Sequence, residues 1–484
     1  MNKSIIFNAF KWKFLERIFT QVIQFTLQIV LARLLSPDHY GQLSIMLVFT
    51  TLANTFIQSG FSSSLVQDKD VTDEDYDSVL WFSLLISVIL YVLIFAFAPL
   101  ICKFYSSTEM CKPFRILALM IFPGAINSVQ QSKLSRELNY KKMFASSFLG
   151  MIISGIAGIA IAYNGGGLWA LVFQSLLNVC ITTVIMHLVI GWHIRVNCNL
   201  VRIKHLFQFG WKLLLASLLD ALTQDLQSLI VGKKYATRSL GYYDKGKQFP
   251  QFLISSINSS VQTVMLSSLS RKQDRMHEVK ESVKKTIIVS SYFVFPMCAG
   301  LAAVAKNLVV VLLSEKWSAC VPYLQIYCVC FAFYPLFTCN LQAINAMGRS
   351  DIFLKLEVIK KLYGIGTIIL AVVLFDSPIA LALAGVVTTI PSFIVNAYPN
   401  KRLINYSPSE QFVDILPSLI LSVCMALFIY VEGEFIIKSA VVVLVIQVIT
   451  GVLIYLFASY IFKLDAFGYI WVYLGEIRRK NKND

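Results

Sequence analysis

The feature that most limits what this chain can fold into is a succession of apolar runs, each about 20 residues long, spread over nearly its whole length and closed by charge, proline or glycine. A helix of that length crosses a hydrocarbon layer of about 30 Å. In lipid every backbone N–H and C=O must bond within its own structure, so only helices or a closed barrel can span. Runs this continuous exclude the two-residue alternation of a barrel strand. About fourteen spans can be placed, at 14–35, 41–66, 79–101, 114–132, 143–163, 167–190, 206–231, 248–269, 286–313, 319–346, 353–375, 378–398, 412–431 and 436–461. The runs at 14–35, 248–269 and 353–375 are amphipathic, which leaves twelve or thirteen spans as the alternative count. The expected class is an all-α integral membrane protein. Composition agrees, with 57% hydrophobic and 14% charged residues, where soluble domains carry about 25% charged.

The start, "MNKSIIFNAFKWKFLERIF", lacks a short apolar core followed by a small-residue cleavage site, so the first helix is read as retained. With the N-terminus in the cytoplasm, most of the 42 Lys and Arg residues fall in cytoplasmic segments. That bias orients polytopic proteins and places both termini inside. The loop "GKKYATRSLGYYDKGK" (232–247) is the exception, with its basic residues on the outer side. The net charge of +15 is therefore a topological signal, and no nucleic-acid partner is expected.

Internal repetition organises the chain. "TTLANTFIQ" (50–58) matches "ISSINSSVQ" (254–262), so Thr51, Asn54 and Gln58 face Ser255, Asn258 and Gln262 at constant offset. "LLSPDHYGQ" (34–42) faces "ATRSLGYYDKGKQ" (236–248) with a longer loop, Gln24 aligns with Gln224, and Ala125-Ile126-Asn127 has an echo in Ala343-Ile344-Asn345. Three parts follow: a six-helix half at 1–200, a second at 201–400, and a final helix pair with a basic tail at 401–484. Six is even, so both halves enter the membrane in the same direction, with a pseudo-twofold axis along the membrane normal. Duplicated bundles of this kind place their sites between the repeats.

Polar residues recur at helical spacing inside these spans. Lys13, Arg17, Gln21, Gln24 and Gln28 share one stripe of the first span; Ser217, Asp220, Gln224 and Gln227 share one of the seventh, with Lys212 and Asp225 close by. Gln248, Gln251, Ser255, Asn258 and Gln262 continue the pattern in the eighth. A charge at a bilayer centre costs at least about 2.5–3.5 kcal/mol. These faces are expected to line a wet interior, the competing reading being interhelical hydrogen bonding worth about 0.6 kcal/mol per contact.

Stretches such as "LARLLSPDHYGQLSIMLVF", "SGFSSSLVQDKDVTDEDYDSVLWFSLLIS", "SKLSRELNYKKMF", "GGGLWALVFQ", "EKWSACVPYLQI" and "NAMGRSDIFLKLEVIKK", in this order over about residues 10–400, resemble bacterial polysaccharide exporters of the lipopolysaccharide, O-antigen and colanic-acid type. These are lipid-linked oligosaccharide flippases of the multidrug/oligosaccharidyl-lipid/polysaccharide exporter superfamily. The resemblance implies two six-helix lobes in a V shape plus two C-terminal helices. It implies a substrate of oligosaccharide repeat units on undecaprenyl pyrophosphate, moved from the cytoplasmic to the periplasmic leaflet of the bacterial inner membrane. It also implies cationic cavity residues, carried over to Arg17, Lys212, Lys360 and Lys361, and a protein that acts as a monomer beside the polysaccharide polymerase machinery.

The chemistry fits such a substrate: Arg presents a fork of donors to phosphate, Lys a point charge, and Gln and Asn both donors and acceptors to sugars. Asp220 and Asp225 are the acidic candidates for coupling to a proton or sodium gradient, with pairing to Lys212 or another interior base as the competing reading. No cofactor, metal or catalytic residue is expected. In "QDKDVTDEDYD" (67–77) the Asp-x-Asp spacings formally match metal and sugar-nucleotide ligands, but no catalytic domain surrounds them, so a solvated acidic loop is expected. Gly165-Gly166-Gly167 lacks the Lys-Ser/Thr of a phosphate loop and reads as a tight turn. The five histidines are scattered, and the ten cysteines read as small buried hydrophobes, Cys328 and Cys330 being the one close pair in sequence. A drug/cation antiporter of the same superfamily and a polytopic enzyme acting on lipid-linked glycans are the alternatives; the enzyme lacks a sizeable extramembrane loop.

Overall fold

The computed structural model describes residues 3–68, 70–192, 194–196, 199–269, 275–436 and 439–469, and among them all regular structure is helical. The helices are α1 (Lys3–Leu34), α2 (Pro37–Gln67), α3 (Asp73–Phe104), α4 (Cys111–Leu117), α5 (Ile121–Arg136), α6 (Tyr140–Tyr163), α7 (Leu168–Ile190), α8 (Leu200–Lys234) and α9 (Thr237–Leu269). They continue as α10 (Met276–Ala303), α11 (Ala305–Leu313), α12 (Val321–Ala332), α13 (Tyr334–Ala346), α14 (Ser350–Leu374), α15 (Pro378–Ala397), α16 (Asn400–Leu403), α17 (Pro408–Phe435) and α18 (Ala440–Ile461). Ten helical stretches among the described residues are long and apolar enough to cross a membrane. The expected spans outside that set are 14–35, 114–132, 248–269 and 353–375. Three of these are the amphipathic runs, and the fourth is interrupted.

Helix boundaries follow local chemistry. Pro37, which has no N–H to be left unpaired in the first turn, opens α2, and the Ser36 hydroxyl accepts from the His39 N–H at 3.4 Å. At the head of α3 the Thr72 N–H donates to Asp75 Oδ2 at 2.9 Å, and three acidic residues occupy the first turn, where the helix dipole favours them. Ser407 and Glu410 form the reciprocal cap of α17. Proline also breaks runs that look continuous in sequence: Pro335 lies in the first turn of α13 just after the break at Phe333, and Pro123 sits just inside α5, behind a short 3₁₀ turn at Ala118–Met120.

The chain divides into two compact units, Met1–Gly241 and Tyr242–Asp484. In the first, α6 packs on α7 and α1, and α5 lies among α2, α3 and α7. Here α8, which the repeat assigns to the second half, packs along α2. Phe61, Leu65, Tyr76, Leu80, Val129 and Trp192 form a buried cluster at the meeting of α2, α3 and α5. In the second unit α10 packs on α17, with Ile288, Tyr292, Met425 and Tyr455 buried between α10, α17 and α18. A fully buried amide network ties α17 to this unit: Asn340 and Gln411 exchange hydrogen bonds of 2.8 and 2.9 Å, and Asn400 Nδ2 donates to Asn340 Oδ1 at 2.7 Å. In a medium without water each such amide would otherwise remain unpaired.

Candidate functional site

The polar stripes fall on helices as their spacing requires. In the first unit Gln24 on α1, Gln58 on α2, and Asp220 and Gln224 on α8 are exposed, while Gln21, Gln28, Asn54 and Asp225 are half-buried. Asp220, Asp225 and Gln21 are partnered. In the second unit Gln251 and Gln262 on α9 are exposed, and Asn258, Lys360 and Lys361 are half-buried. Exposed amides on otherwise apolar helices demand water or a polar ligand, since lipid offers neither donor nor acceptor. The side chains of Arg17 and Lys212 lie outside the described residues.

Several of the remaining candidates are committed locally. Lys360 Nζ lies 2.6 Å from Glu357 Oε1, one turn earlier on α14, and Lys361 is also partnered. Asn258 Oδ1 accepts from the Thr338 hydroxyl of α13 at 2.6 Å. Asn54 Oδ1 is buried against α5 with no hydrogen-bond partner, so close to Gly124 that a methyl there would meet it at 2.6 Å.

A second polar centre, at the amino ends of α2 and α9, lies within the first unit. A Cβ at Gly41 would stand 1.7 Å from the Thr237 carbonyl oxygen, and one at Gly241 would stand 2.0 Å from that of Pro37. The two backbones cross in reciprocal contact that only glycine permits. Side chains close the crossing: the Thr237 hydroxyl donates to Asp38 Oδ1, and Gln42 Nε2 donates to Asp38 Oδ2 at 3.0 Å and to Ser107 Oγ at 3.2 Å. Lys233 Nζ donates to the Phe104 carbonyl at 2.6 Å in the same corner. The aligned stretches 34–42 and 236–248 supplied a signal for this crossing in their shared glycine, but nothing in the sequence brought the two copies into contact.

The acidic segment departs from the solvated loop expected of it. Asp70 and Glu74 are exposed, but Asp75 and Asp77 are each 2% exposed. Arg202 of α8 grips Asp75 through Nε and Nη2, both at 2.8 Å, and Lys133 of α5 pairs with Asp73 at 2.6 Å. The acids hold three helix ends together, because a fork of guanidinium donors matches a carboxylate and repays part of its burial. The glycine triplet makes the tight turn its composition suggests, with positive φ at Gly165 and Gly167 before α7. In the second unit, a cavity of about 380 Å³ between α10, α17 and α18 is walled by Phe293, Met297, Leu301, Val448 and Leu456, and is almost wholly apolar.

A membrane bundle with paired amide stripes on its long helices is the architecture of a polytopic transporter. The fold matches a structure of the lipid II flippase MurJ in an inward closed conformation, with a TM-score of 0.76, 18% identity, and coverage of 94% of this chain and 99% of that one. It also matches an inward-facing multidrug resistance MATE family transporter of the MOP superfamily, with a TM-score of 0.62, 13% identity, and coverage of 80% and 96%. The model of the polysaccharide biosynthesis protein family matches residues 30–322, and the chain belongs to that family. Among similar relatives are the teichuronic acid biosynthesis protein TuaB of Bacillus subtilis, 23% identical over 93% of this chain and 94% of its own, and the lipopolysaccharide biosynthesis protein WzxC of Escherichia coli, 22% identical over 88% of each.

Proposed function

We propose that this protein is a flippase that carries lipid-linked oligosaccharide units from the cytoplasmic to the outer leaflet of a bacterial inner membrane. The observation that carries the reading is the set of exposed amides, Gln24, Gln58, Gln224 and Gln262, repeated on the first two helices of each proposed half. A sugar chain leaving water loses hydrogen bonds at every hydroxyl, and a lining of groups that both donate and accept replaces them without demanding one glycan. Arg17 and Lys212 are assigned to the pyrophosphate, with Lys360 and Lys361 in support, and Asp220 and Asp225 to ion coupling. The apolar cavity between α10, α17 and α18 suits the hydrocarbon part of such a substrate.

The halves 1–200 and 201–400 are assigned to two lobes that alternate access, with both termini in the cytoplasm and the α2–α9 crossing on the outer side. Two arrangements whose balance shifts with bound substrate and ion suffice for transport. Deleting the gene tests this reading: a lipid-linked glycan is expected to accumulate in the cytoplasmic leaflet and to clear when the gene is restored. Arg17→Ala is expected to abolish rescue with normal membrane insertion, and Arg17→Lys to retain part of it. An unchanged set of lipid-linked glycans in the deletion strain would overturn the reading.

A further inference from the structure

The second unit holds a further cavity, of about 460 Å³, at one end of the paired helices α17 and α18. It lies between the first half of α17, the residues that follow α18, and Ile288 of α10. Both long helices are apolar enough to cross a membrane, so the cavity opens where the chain leaves the bilayer, at the depth of lipid headgroups in either orientation. Its lining is of two kinds: Ile288, Leu421 and Phe462 are apolar, whereas Asp414, Lys463 and Asp465 are charged. Asp414 is held in place, accepting from the Tyr406 hydroxyl at 2.6 Å and pairing with Lys284 of α10 at 3.0 Å. Lys463 and Asp465 are exposed, and neither forms an ion pair among the described residues. Lys463 also has a φ of +49°. The end of α18 closes around it, with the Lys463 N–H donating to the Tyr460 carbonyl at 3.3 Å and the Leu464 N–H to the Ser459 carbonyl at 3.2 Å. Glycine is the usual residue in that left-handed cap, where any side chain is strained.

We propose that this cavity binds the headgroup of a zwitterionic aminophospholipid, phosphatidylethanolamine, as a bound lipid distinct from the transported substrate. Asp414 and Asp465 are offset by Lys284 and Lys463, so the formal charges at the site sum to zero. A lipid with one phosphate and one ammonium has the same balance. Its ammonium donates to the Asp465 carboxylate, with Asp414 as a second acceptor, and its phosphate accepts from the Lys463 ammonium. Two carboxylates in the lining disfavour a headgroup that is purely anionic, and they disfavour a diphosphate for the same reason. The glycerol and the upper acyl chains lie against Leu421 and Phe462, continuous with the surrounding lipid. A lysine where the cap favours glycine brings a cation to the cavity, and backbone held in such a conformation marks a position whose side chain serves more than the turn.

The test is native mass spectrometry of the full chain released from detergent micelles with added phosphatidylethanolamine, phosphatidylglycerol or phosphatidylcholine, read as the affinity for the first bound lipid. Phosphatidylethanolamine is expected to bind most tightly, because phosphatidylglycerol has no ammonium and the methylated ammonium of phosphatidylcholine has no N–H to donate to a carboxylate. Lys463→Gly is expected to weaken phosphatidylethanolamine roughly fivefold, while the thermal midpoint without added lipid holds or rises, because glycine relieves the cap. Asp465→Lys, an exposed charge reversal, is expected to invert the order and place phosphatidylglycerol above phosphatidylethanolamine. Wild-type affinity for phosphatidylglycerol that equals or exceeds that for phosphatidylethanolamine overturns the zwitterionic site. Wild-type affinity for phosphatidylethanolamine in both variants puts the lipid elsewhere on the bundle and overturns its assignment to this cavity.

Discussion

Asn54 and Asn258 stand at matched positions of the repeat, yet they meet different neighbours. Asn258 Oδ1 takes a 2.6 Å hydrogen bond from Thr338, whereas Asn54 Oδ1 is buried beside Gly124 with no partner. A duplication preserves which face of a helix carries the amide, because register is a property of one segment. It does not preserve what the face meets, because that depends on another helix: Gly124 of α5 lies against Asn54, and Thr338 of α13 against Asn258. The α2–α9 crossing is the opposite case: Gly41 touches the turn of Thr237 as Gly241 touches that of Pro37, so both members of the pair serve one contact.

The largest effect is expected where the copies meet each other. Gly41→Ala and Gly241→Ala each drive a methyl into backbone that no rotamer change can clear, at a cost of about 3 kcal/mol or more. Gly364→Ala on α14, with nothing within 4 Å of the added methyl, is expected to be tolerated. Thermal midpoints and monodisperse yield in detergent would show this, and tolerance at Gly41 alone would break the reciprocity of the crossing. Next in size is Asp38→Ala, which removes the acceptor of both Thr237 and Gln42 and is expected to cost about 1.5–3 kcal/mol, the range for hydrogen bonds to a charged group.

Smaller, and aimed at the asparagines, is a comparison of stability by chemical denaturation. Asn258→Leu is expected to cost about 1 kcal/mol through the lost Thr338 bond, and Asn54→Leu close to nothing, because its oxygen has no bond to lose. Equal losses at both sites would show that the two positions are equivalent after all. A small change also belongs to Lys360→Ala, whose pair with Glu357 along one helix is worth about 0.2–0.5 kcal/mol. Stability should scarcely move, so any loss of glycan export in that variant measures contact with substrate.

The sequence by itself determined the helical membrane class, the positions of most helices and the faces that carry polar groups. Each of these depends on residues within one helix length: an apolar run of sufficient reach, a period of 3.6, and caps such as Ser36-Pro37 or Ser407 to Glu410. The amphipathic runs at 14–35, 248–269 and 353–375 were legible for the same reason, and they are helices that fall outside the plainly apolar set. What lies opposite a residue was decided only by the tertiary structure. Asp75 reads as solvated until α8 brings Arg202 to the head of α3, where Asp77 is buried as well and Lys133 of α5 pairs with Asp73. Gly41 and Gly241 lie far apart in the chain, and each is packed against the backbone of the other's helix start. Local patterns record how a segment satisfies its own backbone and its solvent, whereas burial, pairing and close approach depend on a second segment whose arrival is a property of the whole packing.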